Sequence, residues 1–432
     1  MGIKETLEYI HSVKWQGSKP GLERTRELLD ALDNPEKALK FVHIAGTNGK
    51  GSTAACIASI LQYAGYRTGL YTSPYIIEFN ERMQVDGEHI SDEELIRLTD
   101  DIRPYADAMA DSPTEFELIT ALAMKYFLYK KCDIVVLEVG MGGELDSTNV
   151  IETPEVAVIT TIGYDHVKEL GPTIADIARA KAGIIKGGDV VIYGSVPEAE
   201  RVFEHVCAER GARLQRADFK RITNEEYALD GVRMRFEPYG YLMLPLTGAY
   251  QSKNAAVAIT AIEVLRKKGY TISDDDIVAG IADVRWPGRF EVLGRAPVFI
   301  LDGSHNPQGM EATADSLRLH FQERKIIFVV GVMADKDVDS MLSYIAPLAE
   351  MFIAVRPDNP RSMDVDTLAE KMKTYGVPIS VRDIIYDGVA EAVDRAGERG
   401  IVCALGSLYF SGDIREAYAL STVHCPLSTV HC

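Results

Sequence analysis

Apolar, β-branched runs alternate with segments of helical period over most of the chain, and this alternation predicts the parallel βαβ units of an α/β fold. In the first half, the apolar runs predict strands at residues 41–45, 133–139, 156–161 and 189–193. Helical periods predict helices at residues 53–64, 116–129, 174–185 and 252–268, the last of them ending just before Gly269, as helices often do. We therefore expect a parallel sheet covered by helices.

The pattern changes between residues 214 and 246, where short alternating runs flank Asp230 and Gly231. An Asp-Gly pair between such runs is a hairpin signal, so we predict a small antiparallel β region here. A second α/β series follows, with strands predicted at residues 298–302, 325–332, 351–356 and 401–405 and a helix at 308–321. A segment rich in Gly and Pro separates the two series. We place a domain boundary near Gly294, which gives domains of residues 1–294 and 295–432.

One loop of the first series has the composition of a phosphate-binding loop. In FVHIAGTNGKGS, residues 41–52, an apolar strand breaks into small residues around Lys50, and a helical segment follows. Glycines let backbone N–H groups converge on an anion, and a helix N-terminus favours negative charge. The loop departs from the standard pattern, because Gly51 separates Lys50 from Ser52 and Ile44 stands where the first glycine is expected. The residues predicted to form this phosphate site are Gly46, Thr47, Asn48, Gly49, Lys50, Gly51 and Ser52.

Composition narrows the class of protein. A chain of 432 residues with 47% hydrophobic content is long enough for two cores. The formal net charge of −18 disfavours binding to nucleic acid and to anionic membranes, so an anion site must be a local positive pocket.

No apolar run is long enough to span a bilayer and the N-terminus lacks a signal-peptide pattern, so we expect a cytoplasmic protein. The six cysteines show no metal-ligand spacing, and we interpret them as reduced thiols, while the repeated STVHC at residues 421–425 and 428–432 resembles an adventitious tail.

Seven further motifs accompany the loop. They are TSPYIIEFNERM (72–83), PTEFE (113–117), LEVGMGGELDSTN (137–149), YDHVKELG (164–171), KAGIIK (181–186), WPGRFE (286–291) and DGSHNP (302–307). Together with GTNGKGS, and in this order, they resemble the folylpolyglutamate synthase and dihydrofolate synthase branch of the Mur ligase superfamily. The resemblance implies a P-loop NTPase-like central domain, a smaller Rossmann-like C-terminal domain, and an active site in the cleft between them.

Magnesium is expected beside an ATP loop, and it prefers oxygen ligands. Glu138 ends a buried apolar run, where a carboxylate is unfavourable unless it binds something; the alternative is a salt-bridged strand end. His166 follows another predicted strand, although a lone histidine is more often structural. The family resemblance implies that Ser73, Glu138 and His166 hold magnesium, with two Mg²⁺ ions in the site.

Lys181 lies on a predicted helix, and by composition alone it would be a surface lysine. The resemblance implies instead that CO₂ carbamylates this lysine and that the product helps to position a magnesium ion. A lysine desolvated near its partners can lose its proton and act as a nucleophile, so this chemistry is plausible. We therefore assign catalytic roles to Lys50, His166 and Lys181.

The resemblance also implies the remaining contacts. Asn254, Arg289, Asp302 and His305 correspond to residues that bind ATP, although Asp302 could instead cap the helix that follows it. The predicted folate loop contains Pro74, Tyr75, Phe79, Asn80, Glu81 and Arg82. The family usually has a basic residue where this chain has Glu144, which removes a positive charge near the substrate.

We interpret the chain as an ATP-dependent ligase that adds L-glutamate to folate, and also to dihydropteroate, through an acyl phosphate. Two alternatives stay open at this stage: a sibling ligase of cell-wall precursor synthesis, and a P-loop NTPase that switches conformation without forming a bond. The expected partners are ATP, glutamate and the folate or dihydropteroate acceptor, and we expect a monomer.

Overall fold

A computed structural model of the protein describes residues 2–12 and 21–423. The repeated tail therefore lies largely outside the described residues. The elements of the first half are α1 (Ile3–Ser12), α2 (Glu23–Ala31), β1 (Phe41–Ala45), α3 (Lys50–Tyr63), β2 (Thr68–Tyr71), β3 (Met83–Val85), β4 (Glu88–His89), α4 (Asp92–Ala108), α5 (Glu115–Tyr129), β5 (Ile134–Glu138), β6 (Val156–Ile159), α6 (Val167–Leu170), α7 (Ile174–Ala182), β7 (Asp189–Ile192), α8 (Pro197–Arg210), β8 (Arg213–Arg216), β9 (Ile222–Ala228), β10 (Gly231–Phe236), β11 (Gly240–Leu244), α9 (Gln251–Lys267) and α10 (Asp274–Asp283).

The first sheet has eight strands in the order β4-β3-β2-β5-β1-β6-β7-β8. Six of them pair in parallel, and the antiparallel pairs β2–β3 and β3–β4 lie at one edge. The central strands β1, β5 and β6 are buried along their whole length, as the continuous apolar runs predict. The C-terminal ends of β1, β5 and β6 therefore open at one edge of the sheet, where the phosphate loop, Glu138 and the segment before His166 begin.

The local signals in the sequence explain where several helices begin. Reciprocal capping boxes start α5 at Thr114 with Glu117 and α7 at Thr173 with Asp176. Gly269, with φ of 100°, follows the C-terminus of α9, as predicted. The helix after the phosphate loop begins at Lys50 rather than at residue 53, so the lysine belongs to its first turn.

The antiparallel region is a three-stranded sheet in the order β11-β10-β9, and Asp230 lies in the turn between β9 and β10. The predicted start of this region at residue 214 is wrong. Residues 213–216 form β8, which pairs in parallel with β7 as the edge of the first sheet, and the antiparallel strands begin only at Ile222. β8 (RLQR) is polar and only partly buried, so it lacks the continuous apolar run that marks the buried parallel strands.

The second half contains β12 (Glu291–Arg295), β13 (Val298–Asp302), α11 (Pro307–Phe321), β14 (Ile326–Val330), α12 (Val338–Ile345), β15 (Ala349–Val355), α13 (Val365–Lys373), β16 (Ile379–Arg382), α14 (Ile385–Ala396), β17 (Ile401–Leu405) and α15 (Ser411–Val423). The six-stranded sheet has the order β12-β13-β17-β14-β15-β16, and only β12 is antiparallel to its neighbour. The predicted α/β fold with a second, Rossmann-like sheet is confirmed.

Each face of the two large sheets carries its own apolar core. α3 and α9 cover one face of the first sheet, and α3 contributes the small residues Ala54, Ala55 and Ala58 to that contact. The cysteines at positions 56, 132, 207 and 403 are buried and free, as predicted, whereas Cys425 and Cys432 lie outside the described residues. Within residues 2–12 and 21–423, no helix combines the length and the apolar character that crossing a bilayer requires.

Candidate active site

The phosphate loop is held by close contacts at its glycines. Gly46 adopts φ of 154°, and a Cβ at this position would lie 1.8 Å from Thr160 Oγ1. Gly49 adopts φ of 85°, and a Cβ there would lie 2.6 Å from Asn254 Oδ1. Only glycine tolerates both the backbone angle and the approach at Gly49. The structure thus places Asn254, which is buried at the start of α9, directly against the loop.

Gly51 serves a different purpose in the same loop. It lies in the first turn of α3, and a Cβ there would lie 2.5 Å from the Trp286 indole. The glycine that interrupts the standard Lys-Ser pair therefore makes room for a ring from the segment that joins the two sheets. Trp286 Nε1 is buried and has no hydrogen-bond partner in the described part of the chain.

Glu138 is a buried carboxylate at the end of β5, with an exposed fraction of 4%. Its Oε2 accepts a 3.3 Å hydrogen bond from the Ser73 backbone N–H, so two of the predicted metal ligands are neighbours. Burial raises the pKa of Glu138, whereas the positive charges of Lys50 and Arg289 oppose that rise. No salt bridge to Glu138 is formed within the described residues, which contradicts the alternative of a salt-bridged strand end. The carboxylate therefore faces the phosphate loop and is stabilised by nearby cations without being paired with one.

Lys181 lies in the last turn of α7 with an exposed fraction of only 5%, so the alternative of a surface lysine is wrong. Its ammonium donates a 2.8 Å hydrogen bond to the Gly46 carbonyl of the phosphate loop. Burial, reinforced by the charge of Lys50, lowers the pKa of Lys181 from 10.5 to about 7. A substantial fraction of this amine is therefore neutral near physiological pH, which is the form that reacts as a nucleophile.

His166 and its neighbour Asp165 lie beyond the end of β6. His166 adopts left-handed backbone angles, with φ of 50°, and its side chain remains 38% exposed. Burial lowers the pKa of His166 to about 4, although the charge of Asp165 opposes this effect. The imidazole is therefore neutral at physiological pH, which is the form that ligates metals.

Asp165 joins the two sheets. It accepts hydrogen bonds from Lys336 Nζ at 2.7 Å and from Asn306 Nδ2 at 3.1 Å, and His305 Nε2 lies 3.5 Å away. Burial opposes ionisation of Asp165, but the hydrogen bond and charge of His305 and the charge of Lys336 outweigh it and hold the pKa of this carboxyl well below its usual range. Lys336 follows β14 of the second sheet, so the ion pair crosses the cleft.

Side-chain amides form a second link between the sheets, which we call the amide bridge (Asn48, Asn306 and Gln308). Asn48 Nδ2 donates to Asn306 Oδ1 at 3.1 Å and to Gln308 Oε1 at 2.8 Å, and Asn306 Nδ2 returns a hydrogen bond to Asn48 Oδ1 at 3.0 Å. The phosphate loop is therefore fixed from the second sheet as well as from the first.

Asp302 is buried at the end of β13 and does not cap the following helix, because Asn306 caps α11 instead. Asp302 Oδ2 accepts hydrogen bonds from the Phe290 N–H at 2.7 Å and from the Tyr250 hydroxyl at 3.1 Å. This carboxylate thereby fixes the segment that carries Arg289. The Arg289 guanidinium packs so closely on Gly303 that a Cβ at position 303 would collide with its Nη1.

The predicted folate loop is organised by its own side chains. Glu81 is buried and accepts hydrogen bonds from the backbone N–H groups of Ile76, Ile77 and Glu78 at 2.8 to 2.9 Å. Asn80 donates to the Ile90 carbonyl and to Asp92. Arg82 lies 5.2 Å from the Tyr75 ring centroid and 5.6 Å from that of Phe79. The loop begins at Pro74, whose peptide bond to Ser73 is cis.

Sequence reasoning missed several residues that the structure brings to the site, among them Asp165, Asn306, Lys336, Gln308 and Trp286. Lys336 lies in a polar segment just beyond a buried parallel strand, and that position alone could have identified it. Gln308 contacts the phosphate loop through a hydrogen bond from Asn48, and Trp286 packs against Gly51; no local pattern indicates either contact.

Comparison with known proteins adds a second, independent line of argument. Residues 44–262 match the Mur ligase middle domain, and residues 288–408 match the glutamate ligase domain of Mur ligases. The chain is 39% identical over 426 residues to a dihydrofolate synthase/folylpolyglutamate synthase of Bacillus subtilis, covering 96% of this chain and 98% of that protein. It is 35% identical over 433 residues to a folylpolyglutamate synthase of Lacticaseibacillus casei, with coverage of 96% and 98%. Its structure matches the crystal structure of Mycobacterium tuberculosis folylpolyglutamate synthase complexed with ADP and AMPPCP with a TM-score of 0.88 and 32% identity, over 96% of this chain and 98% of that one.

Proposed function

We infer the function from the family, because this chain belongs to the Mur ligases and, within them, to the folylpolyglutamate synthase and dihydrofolate synthase family. It is an ATP-dependent ligase that joins glutamate to folates. The observation that carries this conclusion is the 39% identity over 96% of the chain, which includes the phosphate loop and the second sheet alike. Neither a cell-wall precursor ligase nor a conformational NTPase switch is favoured.

We propose that the acceptor carboxylate attacks the γ-phosphorus of ATP and that ADP leaves, giving an acyl phosphate. The glutamate amine then attacks the acyl carbon, and the tetrahedral intermediate collapses with loss of phosphate. Lys50, Arg289 and the N-terminus of α3 neutralise charge on the phosphates, because all of them face the cleft where Glu138 lies. Thr47, Asn48 and Ser52 complete the loop, while Asn254, Asp302 and His305 position the nucleotide.

The donor set near Glu138 fits Mg²⁺. The buried Glu138 carboxylate would supply oxygen ligands, Ser73, whose backbone N–H contacts that carboxylate, would supply its hydroxyl, and the neutral His166 imidazole would supply a nitrogen. In residues 2–12 and 21–423, no three His, Cys, Asp or Glu side chains alone are close enough to hold a metal ion, so phosphate oxygens and water would complete the coordination. Bound Mg²⁺, in one or two sites, would stabilise the charge that develops on the transferred phosphoryl group.

We propose that Lys181 is carbamylated. Its partly neutral, buried amine would attack the carbon of CO₂ and lose a proton, which converts a cation into a carboxylate-like anion beside the phosphate loop. The modified side chain would then orient the metal, and its negative charge would be balanced by Lys50.

The acceptor is proposed to be dihydropteroate as well as reduced folate, bound near the loop of residues 74–82. Exposed Glu144 supplies no positive charge to this acceptor. The division near Gly294 stays a proposal; the first strand of the second sheet already begins at Glu291.

Measuring ADP release tests the function directly. Tetrahydrofolate and dihydropteroate are compared as acceptors, each with and without glutamate. We expect glutamate-dependent ADP release with both acceptors, together with a product one glutamyl residue heavier. Equal ADP release with and without glutamate would contradict ligation, and activity with only one acceptor would restrict the substrate.

A further inference from the structure

Asn149 connects two segments that carry proposed active-site groups. Its Nδ2 donates hydrogen bonds to the Glu144 carbonyl at 3.0 Å and to the Gly183 carbonyl at 3.2 Å. Glu144 lies in the glycine-rich segment that follows Glu138, and Gly183 follows the helix whose last turn carries Lys181. Asn149 has an exposed fraction of 4%, so water does not compete effectively for either hydrogen bond.

The two segments are in direct backbone contact where Asn149 joins them. The Glu144 N–H donates to the Ala180 carbonyl at 2.8 Å. A Cβ on Gly143 would lie 2.9 Å from the Lys181 carbonyl oxygen, and a Cβ on Gly183 would lie 2.3 Å from the Glu144 Cα. Glycines at both positions thus let the segment after Glu138 rest on the end of α7.

Two cations hold the other carbonyls of the same region. Lys186 Nζ donates to the carbonyls of Asn149 and Ile151, and Arg210 donates to those of Gly183 and Ile185. Lys186 itself lies at the end of the turn after α7, so its ammonium also links that turn to residues 149 and 151, whereas Arg210 contacts only the turn. In the described part of the chain, Asn149 is the side chain that donates to both the Glu144 and the Gly183 carbonyls.

We propose that Asn149 is a positioning residue for ligation, because it fixes the glycine-rich segment after Glu138 relative to Lys181. The proposal rests on the proposed roles of Glu138 and Lys181. Asn149 touches no reacting atom. Its two N–H donors fix where Lys181 reaches the phosphate loop and where Glu138 faces it. Without these donors, Lys181 and Glu138 move apart, whereas Lys50 keeps its contact with ATP.

The test compares Asn149→Asp and Asn149→Ala with Ile185→Val. The aspartate has the same size but places carboxylate oxygens against two carbonyl oxygens, and the alanine removes both donors. Ile185→Val is the matched control, because Ile185 is fully buried in the same turn and the change removes a methylene but no side-chain hydrogen bond. For each protein we would measure glutamate-dependent ADP release, the KM for ATP, the thermal midpoint, and the ¹³C carbamate signal after equilibration with ¹³C-bicarbonate.

We expect both Asn149 variants to lose about 10- to 100-fold in kcat, as supporting hydrogen bonds to functional groups typically do, with the KM for ATP changed much less. The carbamate signal should weaken or shift in both variants and stay unchanged in Ile185→Val. The proposal is overturned if the loss of kcat is proportional to the loss of thermal midpoint in all three variants. It is also overturned if both Asn149 variants keep wild-type kcat, or if neither Asn149 variant folds. Absence of the carbamate signal from active wild type would refute the modification of Lys181 alone, since the kcat comparison still decides the role of Asn149.

Discussion

Replacing Lys181 with methionine is expected to stabilise the protein at neutral pH while abolishing ligation. Burial lowers the pKa of this lysine from 10.5 to about 7, which corresponds to about 5 kcal/mol of unfavourable free energy for the charged form in the native state. The variant also loses the hydrogen bond to the Gly46 carbonyl, a loss that costs about 1–3 kcal/mol. Methionine has a similar length and no charge, so the net gain should be about 2–4 kcal/mol at pH 7.

The gain must depend on pH in a specific direction. Between pH 7 and 10.5 the unfolded chain binds more protons at Lys181 than the native protein does, so wild-type stability rises with pH across this window. Below pH 7 both states are protonated and the penalty is constant. The difference between the variant and the wild type should therefore be largest at pH 7 and below, and it should shrink as the pH approaches 10.5.

Urea unfolding of both proteins between pH 6 and 10, followed by circular dichroism in CO₂-depleted buffer, measures this difference. The same preparations are assayed for glutamate-dependent ADP release. A variant that is less stable than wild type at pH 7, or a difference that does not change with pH, would refute the argument from burial. Full activity of the variant would refute the catalytic role.

Further substitutions test the rest of the site. Lys50→Ala should abolish ligation with an unchanged thermal midpoint, because a partly exposed lysine in the first turn of a helix contributes little to a core; near-normal activity would reject the phosphate-loop assignment, and an exposed lysine changed to alanine is the control. Glu138→Gln and His166→Ala should both lose activity, with partial rescue of the His166 variant by added Mg²⁺, and wild-type magnesium titrations in both variants would make these residues structural. Gly51→Ala should raise the KM for ATP and alter tryptophan emission, because its methyl group would lie 2.5 Å from the Trp286 ring; unchanged emission and KM would show that the contact relaxes freely.

The sequence predicts those parts of the fold that depend on local pattern. β13 and β17 span the predicted residues, because both are buried runs in which only Asp302, at the end of β13, is polar. The start of the antiparallel region was predicted too early, because β8 is a polar, partly buried edge strand that lacks the apolar run of the central strands. Helix starts depend on capping side chains, but α3 lacks a side-chain cap and begins at Lys50, three residues before its predicted start.

The sequence predicts only those residues of the site that lie in a recognisable motif or at the end of an apolar strand. Glu138 stands out because a carboxylate closes an apolar strand, and its burial follows from that position. Lys181 gives no such signal, because its burial arises from the approach of the phosphate loop, which is distant in sequence. Lys336 and Asp165 meet only when the two sheets pack together, so their ion pair is a property of the tertiary structure.

The amide bridge makes the two halves of the chain poor candidates for exchange. Asn48 belongs to the first sheet, and its carboxamide is satisfied by Asn306 and Gln308 of the second. A chimera that takes its C-terminal half from a ligase with other residues at these positions would leave the Asn48 amide without its hydrogen-bond partners. Recombination between such enzymes therefore succeeds only when the three amides are kept together in the chimera. Otherwise, new acceptor or amino-acid preferences must arise by substitutions within each half.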